Sequence, residues 1–225
     1  MTTKKIIIIG GIGNAINVAE QMVDAKEKYG FNDEFLGFAF DNEDFGDEIN
    51  GFPLLSKSRE VYEKYKKYND VYFLYQMYRP DKLQERAGWL PEFKIPLERY
   101  YNFIHPSATV CKSVKMGYGN IIHAGCVLNV NVELGNYNTI NSTCLIAHDT
   151  VVGNHNFFAA HSVIGSNTKL KDYVFTGLNS TVNNQIEIEE NVMIGMGSVV
   201  MKSITTPNQV VVGIPAKKLK DIENV

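Results

Sequence analysis

Cysteine is scarce in this chain and odd in number: three in 225 residues, at Cys111, Cys126 and Cys144. An odd count argues against a secreted framework of paired disulfides and for a reducing, cytoplasmic compartment. No apolar run reaches the length of about 20 residues that crosses a bilayer. The start comes nearest, with two lysines ahead of the isoleucines Ile6–Ile9. That run is too short for a secretory signal and breaks at Gly10-Gly11, so it reads as a buried first strand. A basic stripe is missing too: 22 Lys and Arg against 25 Asp and Glu leave a net charge of −3, which argues against a nucleic-acid partner. No metal is expected. What remains, 44% hydrophobic, suits one or two soluble domains.

The strongest positive signal is a repeat of six. From Val110 to Val200 every sixth residue is bulky and apolar, through Met116, Ile122, Leu128, Leu134, Ile140, Ile146, Val152, Phe158, Ile164, Leu170, Val182, Ile188 and Ile194, with Thr176 the one polar member. Two places earlier stands a small residue, a β-branched one or Asn, and Gly follows the apolar residue at Gly117, Gly135, Gly153, Gly165, Gly177 and Gly195. A period of six fits neither a helix nor a hairpin array. It predicts a parallel β-helix with three six-residue faces per coil, apolar side chains inward and Gly or Asn easing the corners. Residues eighteen apart become vertical neighbours, so Cys126 stacks on Cys144 as core filler.

The first hundred residues follow another pattern. Ile6–Ile9, 35–40, 51–55 and 71–75 read as extended, and 15–29, 58–67 and 80–88 as helical. Their alternation predicts a small open α/β sheet. The turn Gly10-Gly11-Ile12-Gly13-Asn14 joins the first strand to the first helix. Such a turn cradles phosphate at the positive end of a helix, and Asp41, followed by Asn42 at the end of the second strand, is placed to bond a ribose. A tight turn with no ligand explains the same spacing, because the third glycine of the full dinucleotide fingerprint is missing.

The pairing of these halves through Phe103-Ile-His-Pro-Ser-Ala-Thr-Val110, with Asn141-x6-His148-Asp149 and the tail Val212-Gly-Ile-Pro-Ala216, resembles a family of bacterial sugar-nucleotide N- and O-acetyltransferases. These are hexapeptide-repeat acyltransferases, the sialic acid O-acetyltransferases among them. The resemblance implies an N-terminal half-Rossmann domain at 1–102, a left-handed β-helix at 103–205 and a tail at 206–225 that contributes to the coenzyme A site. It implies a cytoplasmic homotrimer of polysaccharide biosynthesis with active sites between subunits. The reaction would be acetyl transfer from acetyl-CoA to the amine of a nucleotide-linked amino-sugar, of the 4-amino-4,6-dideoxy kind. His148 matches the base and Asp149 the acid beside it. Their place off the inward ladder agrees, since imidazole titrates near neutrality. Asn141 matches the acceptor pocket, Gly11, Gly13, Asp41 and Asn42 the nucleotide site, and Gly195, Gly197, Gly213 and Ile214 the coenzyme A channel. The Ser166 amide, one coil beyond His148, would face the thioester as an oxyanion donor.

The chain also departs from the family. Phe157 stands where a second histidine helps to hold acetyl-CoA, with His155 and His161 nearby as replacements or as plain surface residues. Leu74-Tyr-Gln-Met-Tyr-Arg79 replaces a small glycine-containing loop, so Tyr75, Met77 and Tyr78 imply altered recognition or additional core. Two other readings stand beside the first: acylation of a hydroxyl or with a longer acyl chain, and a scaffold without activity, which Phe157 and the altered strand alone support.

Overall fold

The computed structural model describes residues 3–41 and 43–222. Its first part is a five-stranded sheet of β1 (Lys5–Ile9), β2 (Glu34–Ala39), β3 (Glu48–Ile49), β4 (Phe52–Ser56) and β5 (Val71–Tyr75), in the order β3-β4-β2-β1-β5. β4, β2, β1 and β5 run parallel, and β3 closes the edge as an antiparallel hairpin with β4. Ile6–Ile9 are wholly buried because both faces of β1 are covered. Helix α1 (Asn14–Tyr29) buries Ala15, Val18, Ala19, Met22 and Ala25, the three-and-four spacing of a single helical face. It ends at Gly30, whose left-handed φ of 67° lets its amide close on the last carbonyls. The helix read over 58–67 is a 3₁₀ turn followed by the short α2 (Val61–Tyr65), and that over 80–88 shrinks to α3 (Leu83–Ala87). The β3–β4 hairpin escapes sequence reading because a two-residue strand shows no alternation.

From Phe103 the chain winds through two-residue strands that build three parallel sheets, one per prism face. Register is held at eighteen residues from Phe103 to Val200, with Val127 paired to Leu145, Glu133 to Val151 and Thr139 to Phe157, and shortens to seventeen where Val192–Ile194 meet Gln209–Val211. The inward ladder is buried and forms one continuous cluster from Ile122 to Val211.

The corners correct the sequence reading. From Gly119 to Gly197 every sixth residue has a left-handed φ, and most are not glycine: Asn131, Tyr137, Thr143, Asp149, His155, His161, Asn167, Tyr173, Asn179, Gln185 and Asn191. Each such residue costs about 1–2 kcal/mol, and burial of the coil offsets it. The glycines that follow the apolar positions serve another need, since none from Gly117 to Gly195 has positive φ. A Cβ at Gly165 would lie 2.6 Å from the Asn184 amide nitrogen and one at Gly177 2.5 Å from that of Met196. They are glycines for want of room beneath the next coil.

The inner small positions differ by face as well. Asn120, Asn138 and Asn156 are buried and form a ladder. The Asn138 side-chain oxygen accepts the Asn156 backbone amide at 3.0 Å, and its side-chain amide donates to the Gly153 carbonyl at 2.9 Å. Buried backbone groups that no strand satisfies are thus paired by side chains.

The α/β part sits on the outer face of the eight-stranded sheet. Phe103 and Ile121 of that face belong to the same apolar cluster as Ile6, Ile8 and Met22. Tyr101 donates its backbone amide to Phe73 at 2.8 Å, so the connecting segment is stitched to the edge strand β5. Asn138→Leu keeps the volume and orphans both the Asn156 amide and the Gly153 carbonyl. It is expected to lower stability by about 2–4 kcal/mol, on the order of 1–3 for each buried unsatisfied group. A urea unfolding curve with a lowered midpoint and an unchanged slope is the result that checks it.

Candidate functional site

Each corner stacks its residues at intervals of eighteen. One carries Gly119, Tyr137, His155, Tyr173 and Asn191, a second Gly125, Thr143, His161, Asn179 and Gly197, and a third Asn131, Asp149, Asn167 and Gln185. The first two flank the eight-stranded sheet, and the third lies opposite it.

His148 and Asp149 stand on the third corner. The left-handed turn at Asp149 (φ 58°) folds its carboxylate back on its neighbour, so that His148 Nδ1 lies 2.7 Å from Asp149 Oδ2. Asn131, one coil before, donates from Nδ2 to Asp149 Oδ1 at 2.9 Å. The Asn131 amide first, and the His148 ring second, hold the Asp149 carboxyl below its ordinary pKa. An ionised carboxylate at Nδ1 keeps the ring proton on that nitrogen and leaves Nε2 as the basic lone pair. Both side chains are about half exposed, so the pair is open to a ligand. The adjacency that makes it was legible in the sequence; its anchor, Asn131, was not.

Ser166 does lie one coil beyond His148, yet its amide is already engaged. It donates to Asn184 Oδ1 at 2.8 Å, and the hydroxyl bonds the same oxygen at 3.2 Å. The expected free oxyanion donor is therefore corrected to a donor held by Asn184. Asn141 sits before the second corner and gives its side-chain amide to the Phe158 carbonyl at 3.0 Å. His161, on that corner, bonds Thr143 Oγ1 through Nδ1 at 2.8 Å.

The glycine-rich turn follows β1, which has β2 on one side and β5 on the other. The chain order reverses there, and open α/β sheets bind ligands at the carboxyl ends of strands beside such a switch. Gly10 and Gly11 are fixed by packing: a Cβ at Gly10 would lie 2.5 Å from the Gln76 carbonyl, and one at Gly11 2.6 Å from Phe40 and Ile49. Gly13, with φ 55°, faces open space at the start of α1. Asp41 is exposed, and both its oxygens engage Ser58, one the backbone amide at 3.0 Å and the other the hydroxyl. It borders a cavity of about 240 Å³ with Phe40, Gly46 and Lys57. Asn42 lies outside the described residues.

At the far end of the prism the last two strands, Gln209–Gly213 and Ala216–Asp221, form a hairpin. Gly195 packs under Val212, Gly197 donates to the Leu178 carbonyl at 2.8 Å, and the Gly213 amide donates to Ser198 Oγ at 3.1 Å. Ile214, exposed, lines a cavity of about 750 Å³ with Met201, Lys202, Ile204, Lys217 and Lys218. Apolar walls with three lysines suit a ligand that joins an apolar arm to phosphates. Met201 and Lys202 were missed, since they follow the repeat's last member and carry no motif.

Most predicted residues thus gather in three places: His148, Asp149 and Ser166 on the third corner, Gly11, Gly13 and Asp41 at the strand ends, and Gly195, Gly197, Gly213 and Ile214 at the hairpin, while Asn141 stands apart before the second corner. His155 and Tyr78 fall elsewhere, as partners of each other at 2.6 Å. Among the described residues no three His, Cys, Asp or Glu side chains are grouped to hold a metal ion, and no helix is long and apolar enough to cross a membrane.

No protein-family model matches the sequence, and no curated protein matches it. Solved structures do match in three dimensions. The acetyltransferase domain of PglB from Neisseria gonorrhoeae, solved with acetyl coenzyme A, superposes with a TM-score of 0.81 at 22% identity, over 97% of this chain and all of that one (100%). PerB from Caulobacter crescentus, solved with CoA and GDP-perosamine, gives 0.78 at 20% identity over 97% and 98%. WeeI from Acinetobacter baumannii gives 0.78 at 22% identity over 96% and 100%. At these identities the likeness is one of fold, and over nearly its whole length the chain has the fold of these proteins.

Proposed function

We propose that this chain is an acetyl-CoA-dependent acetyltransferase that acylates the amine of a nucleotide-linked amino-sugar. The observation that carries the reading is the chain of contacts from Asn131 through Asp149 to His148, which leaves Nε2 of an exposed imidazole as a base. The solved structures of the same fold support the substrate class, since one holds acetyl coenzyme A and another CoA with GDP-perosamine. In this reading the amine attacks the thioester carbonyl while Nε2 takes its proton. Asp149 stabilises the imidazolium that forms. As the intermediate collapses the C–S bond breaks and His148 returns the proton to the departing thiolate, giving an amide and free CoA. The cavity of Ile214, Lys202, Lys217 and Lys218 takes the coenzyme, and the turn at Gly11 and Gly13 with Asp41 takes the nucleotide. The N-terminal part is read as a half-Rossmann domain and the prism as left-handed.

The placement of the pieces also bears on assembly. Gln76, just past β5, bonds Thr139 on the eight-stranded face, and His148 stands on the corner opposite that face. The nucleotide turn and the base of one chain therefore face apart, and a site that uses both draws them from two copies. A cytoplasmic homotrimer with sites between neighbouring prisms meets that requirement.

His148→Ala is expected to leave the fold unchanged and to lower acetyl transfer by about a hundredfold or more, followed as release of free thiol from acetyl-CoA in the presence of 4-amino-sugar nucleotides. Turnover equal to the wild type would sink the assignment. Ile12→Asp places a carboxylate in the same turn, where phosphate is to bind, at an exposed position free of the glycine-only backbone of Gly13 (φ 55°, ψ −116°), and abolishes activity alone. Co-expressed with His148→Ala it restores part of that activity in mixed assemblies, because one copy supplies the turn and the other the base. No recovery would mean that the site lies within one chain.

A further inference from the structure

The segment after β5, bulky where the family has a small loop, reaches the prism rather than a ligand. Gln76 donates from Nε2 to Thr139 Oγ1 at 3.1 Å and accepts from Asn14 Nδ2 at 2.7 Å. Two residues on, the Tyr78 hydroxyl lies 2.6 Å from His155 Nδ1. His155 is the middle tier of a stack on the first corner, parallel to Tyr137 at 5.1 Å and to Tyr173 at 5.3 Å. Tyr100, on the connecting segment, meets Tyr137 edge-on at 4.9 Å. On the sheet side Tyr78 stands edge-on to Tyr75 at 5.0 Å, and the Tyr75 hydroxyl donates to the Arg86 carbonyl at 2.6 Å. Three successive coils thus present one aromatic column, and the strand ends are pinned to its middle.

Burial fixes the proton arrangement. It pushes the Tyr78 phenol well up and holds the His155 imidazole down at about 4. The phenol therefore keeps its proton and donates it to Nδ1, which leaves the ring proton on Nε2. The groups facing His155 are Tyr78, Tyr137, Tyr173 and the Asp172 carboxylate, which alone favours its charged form.

We infer that Tyr78 and His155 are a positioning pair, whose hydrogen bond seats the ligand-binding strand ends at a fixed height along the prism. The inference rests on the acetyltransferase reading for its kinetic consequence. A nucleotide-sugar held at Gly10–Gly13 then presents its amine at one level of the coil stack, the level at which the base of a second copy meets it. Neither residue touches substrate. Their work is orientation, and a misplacement on the order of 1 Å costs about a hundredfold in rate.

Tyr78→Phe removes the hydroxyl and keeps the ring. It is expected to lower kcat tenfold or more, with the Kd for the nucleotide-sugar and the KM for acetyl-CoA within twofold of the wild type. His155→Gln, at a corner φ that Gln185 already adopts, keeps an acceptor for the phenol and restores kcat to within about threefold. A loss confined to thermal stability, or a rise in either ligand constant with kcat unchanged, would overturn the inference. Hydrogen–deuterium exchange of the full chain reads the pair without any activity. Residues 76–82 and 100–102 gain exchange in Tyr78→Phe while 139–176 stay protected, and unchanged exchange at 76–82 overturns the pairing even where the wild type transfers no acetyl group.

The same burial sets a pH dependence. Between about 4 and 6.5 the unfolded chain protonates His155 and the folded chain does not, so the unfolded state binds more protons and stability rises with pH across that window. The urea midpoint of the wild type therefore falls as the pH is lowered from 6.5 towards 4. His155→Gln makes that slope shallower without abolishing it, because burial also holds His123 down at about 4 and lowers His105, and an equally steep slope in the variant would place His155 in water.

Discussion

Everything in this molecule depends on the vertical backbone hydrogen bonds that hold residues eighteen apart in register, each amide reaching a carbonyl seventeen residues ahead on a strand or nineteen back at a corner. They set one strand spacing, about 4.8 Å, as the rise of each coil and make every surface feature a column. Columns of like residues then follow: the buried asparagines of Asn120, Asn138 and Asn156, the aromatic tiers of Tyr137, His155 and Tyr173, and exposed ion pairs such as Lys169 with Glu187. The exposed pairs add little to stability. The asparagine ladder matters more, because it satisfies backbone amides inside a prism that admits no water to them. A chain bound to this register accepts left-handed φ at each corner, and the corner is where side chains such as His148 and Asp149 project into solvent.

The eight-stranded face divides its length between two tasks. Its first coils, at Phe103, Ile121 and Thr139, are roofed by the α/β part and share its core. Beyond that roof Phe157 and Phe175 stack at 5.7 Å, half-buried. The carboxyl ends of β1, β2 and β5 therefore open along the face towards the hairpin, and the corner that carries His148 points the other way. Fold and function are joined here by exclusion. One chain offers a glycine-rich turn on one side of the prism and an exposed imidazole on another, and under the proposed acetyltransferase reading an assembly of copies brings the two together.

Much of this was legible in the sequence, for identifiable reasons. The hexad is strict, so the inward ladder and the register of the coil could be counted from Val110 onward. The parallel strands announced themselves by β-branched runs, as at Ile6–Ile9, and β5 begins and ends where the pattern places it. His148 and Asp149 are neighbours in sequence, so a single local turn decides whether they meet. What escaped notice depends on partners far apart along the chain. Tyr78 and His155 are 77 residues apart, and Asp41 turns to Ser58 across the β3–β4 hairpin that lies between them in sequence. The Ser166 amide looked free because its acceptor, Asn184, belongs to the following coil. The corner residues were misplaced by two positions because glycine drew attention to where space is short rather than to where φ is positive.

The hinge-free union of the α/β part with the first coils has a consequence for how such a chain can change length. The α/β part and the C-terminal hairpin grip opposite ends of one stack, the former through Phe103 and Ile121, the latter through the pairing of Met193 with Val210. The stack between them is a graduated ruler. Inserting or deleting a whole coil between those grips would keep the eighteen-residue register and move the cavity at Asp41 and the cavity at Ile214 apart or together by one graduation, about 4.8 Å. A change of any other size breaks the columns. The distance from the glycine-rich turn to the hairpin cavity is thus quantised, and it is written as a count of coils rather than as the shape of any pocket.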